Sequence, residues 1–152
     1  CMQKRPNVSL VKDFCLRDPK AFVLCDRLGK SALHMVTQYS ESLEVLQSVL
    51  QIDHTLTTKS VAGPFDKYTT PLGLLCGRHS FSSFREMFVC LLEVDSTVEV
   101  IQDGVTACMY QFQLSPYQNI SPGSRGDNAL ILLGILLQAN TDVINLDRSR
   151  IF

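Results

Sequence analysis

Histidine and cysteine are the residues of this chain best suited to chemistry, so their spacing is the first test of function. Three histidines occur, at 34, 54 and 79, and six cysteines, at 1, 15, 25, 76, 90 and 108. A zinc site needs thiolates or imidazoles in close pairs, and the sequence has no C-x-x-C and no histidine at zinc-finger spacing from a cysteine pair. A nucleophile needs a base that meets it in the fold, and no G-x-S-x-G elbow, P-loop, G-x-G-x-x-G or H-E-x-x-H announces one. The fifteen acidic residues are scattered, with no cation-ligand series. The expectation is therefore binding without chemistry: not an enzyme, no cofactor, no metal. Cys15, Cys76, Cys90 and Cys108 fall within apolar helical patterns and read as small buried hydrophobes in a reducing compartment. His34 reads as structural, His54 as sitting at a helix end beside Asp53, and His79 as lying in a loop.

Composition narrows the partner. The chain has 152 residues, 45% of them hydrophobic, with a net charge of −1. Such a chain can bury a core, and it offers no charge excess for a nucleic-acid backbone or an anionic membrane. The greasiest stretch, 129–137, is about half the roughly 18 residues of a membrane span. No signal peptide is visible at the start, and intracellular residence, cytoplasmic or nuclear, is expected. Asn7-Val8-Ser9 and Asn119-Ile120-Ser121 match the glycosylation pattern but read as chance. Arg125-Gly126-Asp127 reads as a turn leading into a helix cap.

A short phrase recurs along the chain. It reads Asp26-Arg27-Leu28-Gly29-Lys30-Ser31-Ala32-Leu33-His34, then Tyr68-Thr69-Thr70-Pro71-Leu72-Gly73-Leu74, then Asp103-Gly104-Val105-Thr106-Ala107-Cys108. Aspartate and glycine make a tight turn, Ser31 or Thr70 supplies a helix N-cap, and Pro71 fits the first helical position, where a missing N–H costs nothing. After Ser31 the apolar positions predict two short amphipathic helices broken near Tyr39-Ser40. Val8 to Leu16 predicts a further helix, closed by a turn at Asp18-Pro19.

The phrase resembles the head of an ankyrin repeat, D-x-G-x-T-P-L-H-x-A, most closely at Gly29, Ser31, Leu33 and His34. The run Leu136 to Asp147 resembles the repeat's tail, with Asn140 where the family has glycine. The resemblance covers most of the chain but no intact T-P-L-H occurs, Gly73 and Met109 replace the family's histidine, and the spacings exceed the usual period of about 33. It implies an all-α solenoid of three to four irregular helix-turn-helix units. Approximate units are 7–25 (partial), 26–57, 66–102 and 103–147, with inserted loops at 57–67 and 115–127. The chain reads as part of a longer protein.

The resemblance also implies a function: a scaffold that binds a protein or peptide through its projecting turns and first helices. On the turns the corresponding residues are Arg27, Lys30, Asp66, Lys67, Tyr68 and Arg148, with Leu28 beside them. On the first helices they are Met35, Gln38, Tyr39, Arg78, Tyr110 and Gln113, with Leu74 beside them. Tyrosine, methionine and arginine are types enriched in interfaces. Alternatives of the same resemblance are a regulatory, inhibitor-of-NF-κB-like module and a structural domain packed against a catalytic region of a larger protein.

Overall fold

The computed structural model describes residues 7–58, 61, 70–78, 83–113, 127 and 129–139. The described chain is mostly helical, with no strand among these residues beyond one isolated pairing of Cys25 with Ser31. Seven helices are bounded: α1 Val8–Arg17, α2 Pro19–Val23, α3 Ala32–Tyr39, α4 Leu43–Ile52, α5 Pro71–Cys76, α6 Phe84–Val94 and α7 Val98–Gln113. A 3₁₀ turn covers His54–Thr57, and the chain is helical again over 129–139. No described helix is long and apolar enough to cross a membrane.

Local chemistry sets most of these boundaries. Asn7 caps α1 by accepting from the Leu10 N–H at 3.2 Å, and Ser42 caps α4 by accepting from Val45 N–H at 3.4 Å. Pro71 opens α5 and Pro19 opens α2, both at positions that need no N–H. Asp18-Pro19 is accordingly a helix-to-helix junction rather than a free turn. The break expected near Tyr39-Ser40 is present: α3 ends at Tyr39, and the Ser40 N–H closes onto the Val36 carbonyl at 2.9 Å.

Three helices end alike. α1 stops at Asp18, α4 at Asp53 and α6 at Asp95, each N–H bonded back to a carbonyl four residues earlier. A carboxylate at a helix C-terminus faces the wrong end of the dipole. Asp53 and Asp95 resolve this by turning forward, accepting from Thr55 N–H and Thr97 N–H, both at 2.9 Å. Asp53 thus ends α4 and caps the 3₁₀ turn, while Asp95 ends α6 and holds the link to α7.

The third phrase departs from expectation. Asp103 to Cys108 is not a turn and cap; it lies inside α7. The apolar residues Val100, Ile101, Ala107 and Cys108 run across Asp103-Gly104 at helical spacing and are buried, so one amphipathic stripe carries the helix through. Gly104 is a packing glycine: a Cβ there would stand 3.3 Å from both Leu72 and Leu136. The helix that carries this phrase starts at Val98.

The core is continuous from Leu33 through Leu46, Val49, Leu72, Leu75, Met87, Phe88, Leu91 and Ile101 to Leu136. Helix contacts run along two lines: α3 to α5 to α7, and α1 to α4 to α6, with α3 packed on α4 and α5 on α6. Of the cysteines, Cys15, Cys76 and Cys108 are buried, Cys90 is half-buried and Cys25 is exposed.

Candidate partner-binding face

The turn before α3 is held from within. Asp26 Oδ1 accepts from Leu28 N–H at 2.8 Å and Lys30 N–H at 2.9 Å, while Asp26 N–H donates to the Lys30 carbonyl at 2.9 Å. Gly29 takes φ 81°, a left-handed backbone that a side chain would strain, and its N–H donates to the Asp26 carbonyl at 3.0 Å. The carboxylate is spent on the turn's own amides. At the tip Arg27 and Leu28 point into solvent, Leu28 with 57% of its surface exposed.

Behind the tip, α3 is anchored by His34, which is fully buried. Its Nδ1 accepts from Ser31 N–H at 3.2 Å and stands 2.9 Å from Ser31 Oγ. Accepting from a backbone N–H fixes Nδ1 as the lone-pair nitrogen, which assigns the ring proton to Nε2. The structural reading of His34 fits this geometry. His54, by contrast, is exposed in the 3₁₀ turn after α4, and His79 lies outside the described residues.

Lys30 reaches along α3, its Nζ donating to Gln38 Oε1 at 3.2 Å. Met35 and Gln38 are half-buried and Tyr39 is 39% exposed. Residues three and four apart share a helix face, so Met35 lines up with Gln38 and Tyr39. Arg27, Lys30, Met35, Gln38 and Tyr39 therefore belong to one turn-plus-helix element.

Arg78 is engaged differently. Its Nη1 donates to the Thr37 and Ser40 carbonyls, each at 2.7 Å. These are orphan carbonyls at the end of α3, so the guanidinium just past α5 closes the C-terminus of the neighbouring helix. Burial lowers its pKa, and Glu41 works in the opposite direction. Its Nη1 is turned toward the protein rather than outward.

Thr70 carries a second long-range tie. Its hydroxyl accepts from Gly73 N–H at 3.1 Å and donates to Asp103 Oδ2 at 2.6 Å, and its N–H donates to the same oxygen at 2.8 Å. A third joins Thr57 Oγ1 to Asp95 Oδ2 at 3.0 Å. Sequence reading did not anticipate these ties.

Leu74 is core, at 8% exposure. Asp66, Lys67, Tyr68 and Arg148 lie outside the described residues, as do most of the two loops at 57–67 and 115–127. Tyr110 and Gln113 are backbone positions in the last turn of α7. The helix expected from Val8 to Leu16 carries exposed apolar side chains: Leu10 at 44%, Phe14 at 53% and Leu16 at 84% on α1. Beside it an open groove of about 700 Å³ runs between α1 and α4, lined among others by Cys15, Leu16, Pro19 and Ile52. No group of three metal-binding side chains occurs among the described residues. Comparison with known proteins finds no matching family model, no similar characterised protein and no similar solved structure.

Proposed function

We propose that the chain is an ankyrin-like repeat array acting as a protein-interaction scaffold, without chemistry of its own. The two lines of helix contacts, α3–α5–α7 and α1–α4–α6, support the array reading. The observation that carries the binding reading is the turn at Asp26–Lys30. Its backbone is held by the Asp26 carboxylate and its own amides, Lys30 ties it to Gln38 on α3, and what it holds outward is an arginine and a leucine. A preorganised tip of this kind loses little ordering entropy on meeting a partner. The partner is a protein or peptide, and the free cysteines favour a reducing, intracellular setting.

The test places a photo-crosslinking residue at Leu28 and, separately, at Glu86, an exposed position on α6. Under the proposal one partner is captured from position 28 and not from position 86, and Arg27→Glu abolishes the capture while the melting curve stays unchanged. Equal capture from both positions, or none from position 28, overturns the assignment of the face.

A second reading is favoured by α1. Leu10 and Phe14 stand one helical turn apart and Leu16 is largely in water. Such a face suits a domain packed against another part of a larger protein. Polar substitution of Leu10 and Phe14 would then raise the solubility of the isolated domain and disturb the parent protein.

A further inference from the structure

We propose that Cys76 and Cys108 form a latent redox lock, in which a small peroxide converts the buried thiol pair into a disulfide that fastens α5 to α7. Cys76 is the last residue of α5, Cys108 lies in α7, and both are free thiols. Both are buried on the contact between α5 and α7, the most extensive helix contact among the described residues. Two glycines let the helices come this near: Gly73, where a Cβ would collide with the Asp103 carboxylate, and Gly104, where one would press on Leu72. Close backbone approach is what a disulfide requires, with Cβ atoms separated by about 3.5–4.5 Å. Gly73 and Cys76 share one face of α5, and Gly104 and Cys108 share one face of α7, so the approach and the thiols coincide.

Burial selects the oxidant. Cys76 is 3% exposed and Cys108 1%, which favours a peroxide over a bulky disulfide donor. One sulfur attacks the peroxide as thiolate: an S–O bond forms, the O–O bond breaks, and hydroxide leaves. The second sulfur then attacks the resulting sulfenic acid, the S–S bond forms, and the oxygen departs as water with the displaced proton. Two electrons pass from the sulfur pair to the peroxide. The hydrogen bond with Cys108 and burial hold the Cys76 thiol well above its ordinary pKa, so the lock closes slowly and answers sustained oxidant. Cys25, exposed before the first turn, oxidises first and serves as an internal reference.

The experiment treats the full chain with hydrogen peroxide, blocks remaining thiols, and maps cross-links by mass spectrometry of a non-reduced digest. The expected result is a Cys76–Cys108 link, reversed by dithiothreitol, with a melting temperature raised by about 5–10 °C. Cys108→Ala removes both effects while Cys25 still oxidises, and Cys76→Ala gives the same test if that variant folds poorly. Complete oxidation of Cys25 with Cys76 and Cys108 still alkylatable after denaturation would overturn the proposal. So would a link that leaves the melting temperature unmoved.

Discussion

Two helix starts in this molecule solve one problem with different means. At the start of α3 the Ser31 N–H is met by His34, three residues on in the same helix. At the start of α5 the corresponding place is Gly73, and the Thr70 N–H is met by Asp103, 33 residues away in α7. The first cap is local and forms with its helix. The second exists only once α7 has docked. A missing side chain at Gly73 is thus not a weakened copy of the first phrase; it is the space that lets a neighbouring helix supply the cap.

The largest effect follows from filling that space. Gly73→Ala puts a Cβ into the Asp103 carboxylate, which must leave Thr70 to avoid it. Loss of two charge-assisted bonds together with overpacking is worth about 3 kcal/mol or more. Gly73→His combined with Asp103→Ala rebuilds the first cap at the second site and is expected to recover part of the loss. Urea denaturation of the single and double variants decides it, and equal stabilities of Gly73→Ala and wild type would remove Asp103 from this role.

Next comes the reach of each cap. Asp103→Ala and His34→Ala are each expected to cost about 2–3 kcal/mol, since each leaves a buried N–H in need of a partner. Hydrogen exchange separates them. His34→Ala should speed exchange within α3, whereas Asp103→Ala should speed it in α5 and α7 together. Confinement of the Asp103→Ala effect to α5 would mean that the tie does not couple the two helices.

This contrast also explains what the sequence made legible. Ser31, Pro71, the α3–α4 break and the all-helical class could be read because capping, proline and apolar spacing act within a few residues. Asp103-Gly104 could not be read as it is, because two rules competed for it. Turn chemistry pointed to a turn, but the stripe Val100, Ile101, Ala107 and Cys108 outweighed it. Arg78 was read as an outward-facing residue because the repeat resemblance puts it on the exposed side of a first helix, and only the fold brings the Thr37 and Ser40 carbonyls to it. For the turn tip, type and position sufficed: Arg27 and Leu28 are exposed where the phrase put them.

Arg78 links the two regions and gives the third prediction. Arg78→Met keeps most of the buried stem and removes both hydrogen bonds, at a cost of about 1–3 kcal/mol. Arg78→Lys, with a point charge in place of the fork, should fall between. Thermal melts check the order. Wild-type stability in Arg78→Met would return the guanidinium to the pool of partner-facing groups.

The second region also carries a titration. The hydrogen bond with Cys108 and burial raise the Cys76 pKa well above 9.0. In the unfolded chain the thiol deprotonates near its ordinary value, while in the folded chain it stays protonated. The unfolded state therefore binds fewer protons in that window, and stability falls as pH rises above about 9. One protected thiol contributes a slope of up to about 1.4 kcal/mol per pH unit. Buried Cys15 and half-buried Cys90, also raised, add in the same direction. Cys76→Ala should flatten the alkaline limb relative to wild type, as read from urea midpoints across that range.

The smallest effect belongs to the most self-contained feature. Asp26→Ala removes two side-chain bonds to the Leu28 and Lys30 amides, yet both amides stand at an exposed turn where water can replace the carboxylate. The expected loss is about 1 kcal/mol or less. Exchange should rise at Leu28 and Lys30 and stay unchanged in α5 and α7. Partner capture from position 28 should nevertheless weaken by more than the stability change, because a loosened tip must be ordered again on binding. If capture holds while the amides loosen, Arg27 and Leu28 bind as single side chains, and the internally held turn is scaffolding for α3 alone.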